Sequence, residues 1–197
     1  WFDKEAEEAT KFYASLFKNS KIGKIARYGK EGHEIHHMPD GTVMTVDFEL
    51  NGQRFIALNA GPIFKFNPSI SFIVGCEIRE EIDELWKKLS KGCKVLMPYD
   101  KYPFSERYGW TQDKYGLSWQ LILTKPEGED RPKIVPSLLF VGKMCGKAEE
   151  ATNFYMSVFK NSKRGITARY PKGMEPDKEG TVMFSDFMLE GVWLVAM

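Results

Sequence analysis

The chain has 197 residues, a formal net charge of +1, 43% hydrophobic and 28% charged residues. That balance describes a globular protein with no field to draw nucleic acid or an anionic membrane, and no apolar run reaches the roughly 20 residues that span a bilayer. Three cysteines, Cys76, Cys93 and Cys145, include no C-x-x-C pair, which argues against a disulfide scaffold or structural zinc and places the chain in a reducing compartment, the cytoplasm.

Taken in order, the chain opens with a helix whose apolar stripe is Ala9, Phe12, Tyr13, Leu16 and Phe17. Asp3 is the expected N-cap, and Asn19 the expected stop. A strand over 21–28 follows, then a polar loop that holds every histidine in the chain, as His33-Glu34-x-His36-His37. Residues 42–50 alternate as a strand, and Asn51-Gly52 is a strong signal for a type I′ hairpin turn into residues 53–59. After a Gly/Pro-punctuated connector, residues 70–74 form an apolar strand. A second helix carries Ile78, Ile82, Leu85, Trp86 and Leu89, with Asp83–Lys87 and Glu84–Lys88 at the favourable i,i+4 spacing. Strands are expected at 94–97, 108–112 and 117–123, with a dense aromatic segment (99–110), read as a lid or an Ω-like loop, running into the second and an Asp113–Gly116 turn before the third. Residues 124–136 read as a charged, Pro-rich linker.

The chain then repeats itself. Glu149 to Tyr170 matches Glu7 to Tyr28 at 16 of 22 positions, and GTVMFSDFMLEG (180–191) matches GTVMTVDFELNG (41–52). Residues 137–142 supply an apolar strand ahead of the repeated helix; in the first copy only Trp1-Phe2 remains of it. A repeat this long is a duplicated domain, not a solenoid unit. The expected domains are 1–123, the linker 124–136, and 137–197 as the first half of a second domain, with the counterparts of 61–125 missing. Each complete domain holds two β-α-β-β-β modules. The fold expected is α+β: an eight-stranded, cup-shaped mixed sheet with helices on its outer face, duplicated.

EEATKFYASLFKNSKIG, GTVMTVDFELNGQRFIALNAGP, FKFNPSISFIV and GWTQDKYGLSWQ resemble the PhnB-like family of the vicinal oxygen chelate superfamily, relatives of glyoxalase, bleomycin-resistance proteins and extradiol dioxygenases. The family often carries the label 3-demethylubiquinone-9 3-methyltransferase. The resemblance implies the same cup, and in the superfamily's enzymes a divalent metal held by His, Glu or Gln on its strands. By that likeness Gln120 falls at the ligand position four residues after the glycine of Asp113–Gly116, Ser69 where His is common, and Asn59 where an acid or amide is usual. Such a set does not make a tight zinc, nickel or iron site, so no metal and no cofactor are expected. The methyltransferase label finds no strand, Gly-rich turn and helix of the kind that S-adenosylmethionine enzymes use.

The residues offer several chemistries, each with a plainer alternative. The His33–His37 loop could bind a metal or be a solvated loop; its repeat at 171–179 has no histidine. Asp100, Glu106 and Asp113 are carboxylates without a nearby histidine, and Asp113 suits a turn. Strand alternation puts Ser118 and Gln120 with Ser69 and Ser71, and by the same parity Phe55, Ala57 and Asn59, in the hollow. Trp110, Tyr102 and Phe104 could close over a flat ligand or pack as a loop. The reading is a small-molecule-binding protein without a catalytic metal, its ligand residues Asn59, Ser69, Ser71, Ser118, Gln120, Trp110, Tyr102 and Phe104. The alternatives are a divalent-metal lyase, isomerase or dioxygenase, and a protein that sequesters a drug or toxin. A half domain leaves a sheet edge and an apolar helix face open, so a homodimer is expected.

Overall fold

A computed structural model describes residues 1–92, 94–125 and 129–197. Cys93 and part of the expected linker, residues 126–128, lie outside the described residues. The chain divides into two compact units: Trp1–Phe66 with Asp113–Gly116, and Asn67–Gln112 with Leu117–Met197.

The first unit holds α1 (Ala6–Leu16), β1 (Lys21–Arg27), a single turn of helix α2 (His33–His36), β2 (Val43–Leu50) and β3 (Gln53–Leu58). Its sheet is antiparallel in the order β1-β2-β3. Ala6, Ala9, Thr10 and Tyr13, spaced i, i+3, i+4 and i+7, are the buried stripe of α1. Asp3 does not cap it. The first helical N–H, that of Ala6, instead donates to the side-chain Oδ1 of Asn59 at 2.9 Å, so the cap comes from beyond the end of β3. Asn51 (φ 49°) and Gly52 (φ 78°) both take the positive φ that a type I′ turn requires. The residue of the opening strand is Phe2, which bridges Asn59 in parallel. Its N–H donates to the Leu58 carbonyl at 2.7 Å, and the Ala60 N–H donates to its carbonyl at 3.0 Å. In the Asp113–Gly116 turn, Asp113 Oδ1 accepts from the Tyr115 N–H and Oδ2 from the Tyr13 hydroxyl at 2.7 Å. Burial, reinforced by the Asp113 charge, pushes the Tyr13 phenol well above its ordinary pKa.

The second unit is built from β4 (Ile70–Cys76), α3 (Arg79–Leu89), β5 (Lys94–Tyr102), β6 (Ser105–Gln112), β7 (Ser118–Leu123), β8 (Ile134–Leu138), α4 (Ala148–Val158), β9 (Lys163–Arg169), β10 (Val182–Leu189) and β11 (Val192–Ala196). These strands make one mixed sheet in the order β5-β6-β7-β4-β8-β11-β10-β9. The first strand of each module lies parallel to its last, β4 to β7 and β8 to β11. The two modules meet where β4 and β8 pair antiparallel, from Ile70↔Leu138 to Val74↔Ile134.

This corrects the expected architecture. The α+β class, the β-α-β-β-β modules and a mixed sheet of eight strands hold. The cup formed by residues 1–123 does not: β1–β3 keep a three-stranded sheet of their own, and the eight-stranded sheet draws half its strands from beyond residue 133 and is open, with β5 and β9 at its edges. The physical reason lies in the central pair: β4 joins the next module through the whole length of β8, and Val74, Ile134 and Val135 are buried along that ladder. The apolar strand read as starting at 137 begins at Ile134, so the last residues of the expected linker are part of the central pair.

On the helix side of the sheet, Val74, Trp119 and Leu121 are buried, with Ile82, Leu85 and Leu89 of α3. Ile78, expected in that stripe, precedes the helix and is exposed. Trp86 stacks on Tyr99 with centroids 5.0 Å apart. Gly109 leaves it room, since a Cβ there would lie 2.5 Å from Trp86 Cζ3. The aromatic stretch expected as a loop is an extended hairpin: β5 and β6 pair up to Tyr102↔Ser105, with Pro103-Phe104 as the turn.

Candidate functional site

On the face of the eight-stranded sheet opposite α3 lies a cavity of about 390 Å³. Alternation decides which residues reach it. Ile73 on β4, Gln120 and Ile122 on β7, and Val135 on β8 line its floor; Trp193 and Val195 of β11 continue it. The walls are mostly apolar, the make-up expected of a small-molecule site.

Gln120 is the polar centre of the floor, 1% exposed. Its Oε1 accepts from the Tyr108 hydroxyl at 2.7 Å, and its Nε2 donates to Ser71 Oγ at 2.8 Å. Burial raises the Tyr108 pKa, so the phenol stays protonated and remains a donor. The amide is thereby held in one orientation. Ser71 stands in a row of three serines on adjacent strands, Ser118↔Ser71↔Ser137, each with no exposed surface.

At the opposite wall Asp186 of β10 joins three elements. Its Oδ2 accepts from Arg131 Nε at 2.7 Å, and its Oδ1 accepts from the Ile166 N–H of β9. The Arg131 guanidinium lies 3.5 Å from the centre of the Trp193 ring, a close cation–π stack. Glu129 adds a second carboxylate to Arg131. Gly165 makes the approach feasible, because a Cβ there would fall 2.1 Å from Asp186 Oδ1.

Of the residues singled out in the sequence, Gln120 and Phe104 line the cavity. Ser71 is hydrogen-bonded to Gln120, Ser118 lies two residues before it on the same face, and Trp110 is its register partner on β6. Tyr102 stacks on Phe104 at 5.6 Å, and its hydroxyl donates to the Pro98 carbonyl. Ser69 is exposed and precedes β4; its N–H donates to Asn67 Oδ1 and its carbonyl accepts from the Leu139 N–H. Asn59 belongs to the first unit, where both ends of its amide are used: Oδ1 takes the Ala6 N–H, and Nδ2 donates to the Val43 carbonyl at 3.0 Å. The parity of β3 is the reverse of that expected, with Ala57 and Asn59 buried and Ile56 68% exposed. Arg131, Asp186 and Trp193 were not singled out. The repeat held a partial signal, since Gly23/Asp47 recurs as Gly165/Asp186, while Trp193 replaces Arg54.

The residues at the family's ligand positions do not fit a divalent transition metal. Gln120 spends its oxygen on Tyr108, and its amide nitrogen donates to Ser71, so its hydrogen-bond partners are a phenol and a serine. Among the described residues no group of three or more His, Cys, Asp or Glu side chains is placed to hold a metal. In the histidine loop both ring nitrogens of His36 have backbone partners, the Glu31 carbonyl and the Met38 N–H.

The profile of the family described as 3-demethylubiquinone-9 3-methyltransferase matches residues 1–122 and 132–197. The chain belongs to this family. A solved Bacillus cereus structure named as a PhnB protein and 3-demethylubiquinone-9 3-methyltransferase is 45% identical, with a TM-score of 0.57 over 62% of this chain and 94% of that one. The chain is accordingly PhnB-like and a member of the vicinal oxygen chelate superfamily. A glyoxalase I mutant from Zea mays shares the fold at 13% identity and a TM-score of 0.57, covering 96% of this chain and 64% of that one. A Pseudomonas aeruginosa protein does so at 17% identity and a TM-score of 0.52, over 63% of this chain and 92% of that one. No curated protein matches the chain. No described helix is long and apolar enough to cross a membrane.

Proposed function

We propose that this PhnB-like chain binds a small organic molecule in the cavity of its eight-stranded sheet, with Gln120 as the polar anchor and without a bound transition metal. The observation that carries the reading is the fixed Gln120 amide at the floor of an apolar cavity of about 390 Å³. In this reading Phe104 lines the cavity with Gln120, Ser71 holds the Gln120 amide, and Ser118, Trp110 and Tyr102 support these residues from outside the lining, whereas Asn59 and Ser69 are left out of the ligand set. The mixed sheet, in which most neighbours pair antiparallel, is not the doubly wound parallel sheet on which cofactor-binding α/β enzymes rest, so methyl transfer is not part of the proposal. The test is native mass spectrometry of the purified protein beside Ile73→Trp, which fills the floor of the cavity. A small molecule carried by the wild type and lost from a folded Ile73→Trp supports the reading. A wild type that carries none, and binds none in a ligand screen, refutes it.

A homodimer forms the second part of the proposal. Ile56 is 68% exposed on the open face of β3, while its repeat counterpart Val195 is 4% exposed in the cavity wall. A second copy would cover that face. Sedimentation should show a dimer that Ile56→Lys weakens; a monomer at all concentrations refutes it. Two free thiols among the described cysteines, Cys76 and Cys145, agree with a cytoplasmic address.

A further inference from the structure

α1 and α4 are two copies of one helix in different company. Glu8, Phe12, Tyr13, Leu16 and Phe17 of the first copy recur as Glu150, Phe154, Tyr155, Val158 and Phe159 of the second. Phe2 recurs as Phe140, whose N–H donates to the Met197 carbonyl as the Phe2 N–H does to the Leu58 carbonyl. Each helix buries the same small residues, Ala6 and Thr10 in one and Ala148 and Thr152 in the other.

In the first copy the aromatic side of the helix is covered by the Asp113–Gly116 turn. The Tyr13 hydroxyl donates to Asp113 Oδ2, and Lys114 Nζ and the Tyr115 hydroxyl both donate to Glu8 Oε1, each at 2.7 Å. The Tyr115 ring meets Phe2, Phe12 and Tyr13 with centroids 6.3, 6.1 and 5.9 Å away. The turn comes ready-shaped, because Asp113 Oδ1 accepts its own Tyr115 N–H. Tyr13 and Phe17 are left only 2% and 6% exposed.

In the second copy no described residue takes that place. Phe154, Val158 and Phe159 are 63%, 58% and 44% exposed. Tyr155 is half-buried, and its hydroxyl has no hydrogen-bond partner among the described residues. Glu150 holds Lys147 in an exposed i,i+3 pair, of the weak kind that an incoming cation can replace. The rings nevertheless keep the arrangement of the occupied helix: Phe154 and Tyr155 lie 6.0 Å apart at 59°, Phe12 and Tyr13 5.7 Å apart at 54°. A phenol donor for a carboxylate, a carboxylate for a lysine, and the rings between them are all present.

We propose that this face of α4 is a docking site for a turn of the Asp-Lys-Tyr-Gly kind, presented by a hairpin of a partner protein that carries a β-α-β-β-β module. The turn on α1 joins the last two strands of such a module, β6 and β7. A second copy of this chain would have to strip the turn from its own α1 to supply one.

The probe is a fluorescent cyclic peptide with the sequence of residues 111–118, titrated with the full chain by anisotropy, while amide chemical shifts map the contact. Binding should saturate and shift the amides of residues 150–159. Phe154→Ala, at an exposed position that folding does not need, should weaken it about tenfold or more, as the loss of a central aromatic anchor does. Replacing the peptide's aspartate by asparagine should weaken binding about fivefold to the wild type and leave binding to Tyr155→Phe unchanged, because the two changes remove the same charge-assisted hydrogen bond. No saturable binding, equal binding by Phe154→Ala, or an asparagine effect that persists in Tyr155→Phe overturns the proposal. Shifts confined to residues 8–17 mean that the peptide competes for α1, and overturn it too. A dimer in sedimentation that Phe154→Ala abolishes assigns the face to a second copy and overturns the partner named here.

Discussion

Gly165→Ala should damage the cavity wall far more than the loss of a glycine implies. The added Cβ would lie 2.1 Å from Asp186 Oδ1 and 2.9 Å from an Arg131 guanidinium nitrogen. Contacts this short cannot be kept, so the Asp186 carboxylate must swing away. It then gives up the Ile166 N–H and Arg131 Nε, in a place where the Asp186 side chain is only 8% exposed. Overpacking of a tight site costs roughly 1–3 kcal/mol, and losing charge-assisted hydrogen bonds costs a similar amount, so about 2–4 kcal/mol is expected when the two overlap. The assay is urea denaturation of wild type, Gly165→Ala, Asp186→Ala and the double variant. If the clash with Asp186 is the cause, Gly165→Ala costs little once Asp186 is gone, and the cycle shows a coupling of about 2 kcal/mol or more. The repeat supplies a control, for a Cβ on Gly23 would meet the Asp47 carbonyl oxygen at 3.2 Å and its Cβ at 3.3 Å, a squeeze that small shifts absorb. Gly23→Ala should cost under about 1 kcal/mol. Equal costs for Gly165→Ala with and without Asp186, or for both glycines, would refute the reasoning.

Other perturbations test the rest of the structure. Asn59→Ala strands the Ala6 N–H and the Val43 carbonyl in a buried place and should cost about 1–3 kcal/mol in denaturation; a neutral outcome would remove Asn59 from its role as the cap of α1. Gly109→Ala drives a Cβ into Trp86 and should cost about 1–3 kcal/mol, with near-ultraviolet circular dichroism reporting the disturbed Trp86–Tyr99 stack. Burial pushes the Cys76 thiol from 9.0 up to about 12. Between these values the unfolded chain releases a proton that the folded chain keeps, so stability is complete below about pH 9 and falls as pH rises toward 12, by about 1.4 kcal/mol per pH unit from this group. Cys76→Ala should flatten the alkaline slope of urea midpoints; an unchanged slope would show that the thiol is not responsible.

Local features were legible because local chemistry dictates them. Asn51-Gly52 specified its turn, the spacing of Ala9 and Tyr13 specified the buried side of α1, and Asp113-x-x-Gly116 specified its turn. The partnership of Ser71 with Gln120 followed from alternation along β4 and β7. Parity failed on β3, where nothing in residues 53–59 says which face meets a helix: Phe55 and Ile56 are both apolar, and the buried amide of Asn59 looks like a ligand until its two backbone partners are seen. Arg131 was hidden for another reason. A charged residue in a Pro-rich segment reads as linker, and only the fold reveals that Trp193 and Asp186 await it.

The choice of module partners was open to the sequence, since three similar modules can pair in more than one way. The pairing that forms joins β4 to β8 over five register pairs. The same choice moves the site. A cavity made by residues 1–123 alone would be walled by the counterparts Arg54, Ile56 and Asp47. The cavity that forms is walled by Trp193, Val195 and Asp186, and takes in Arg131. Exchanging Arg54 for Trp193 turns a charged position into an aromatic one, against which the guanidinium of Arg131 can lie. The mostly apolar lining of the cavity, with Arg131 and Asp186 paired at its wall, is therefore a consequence of module pairing.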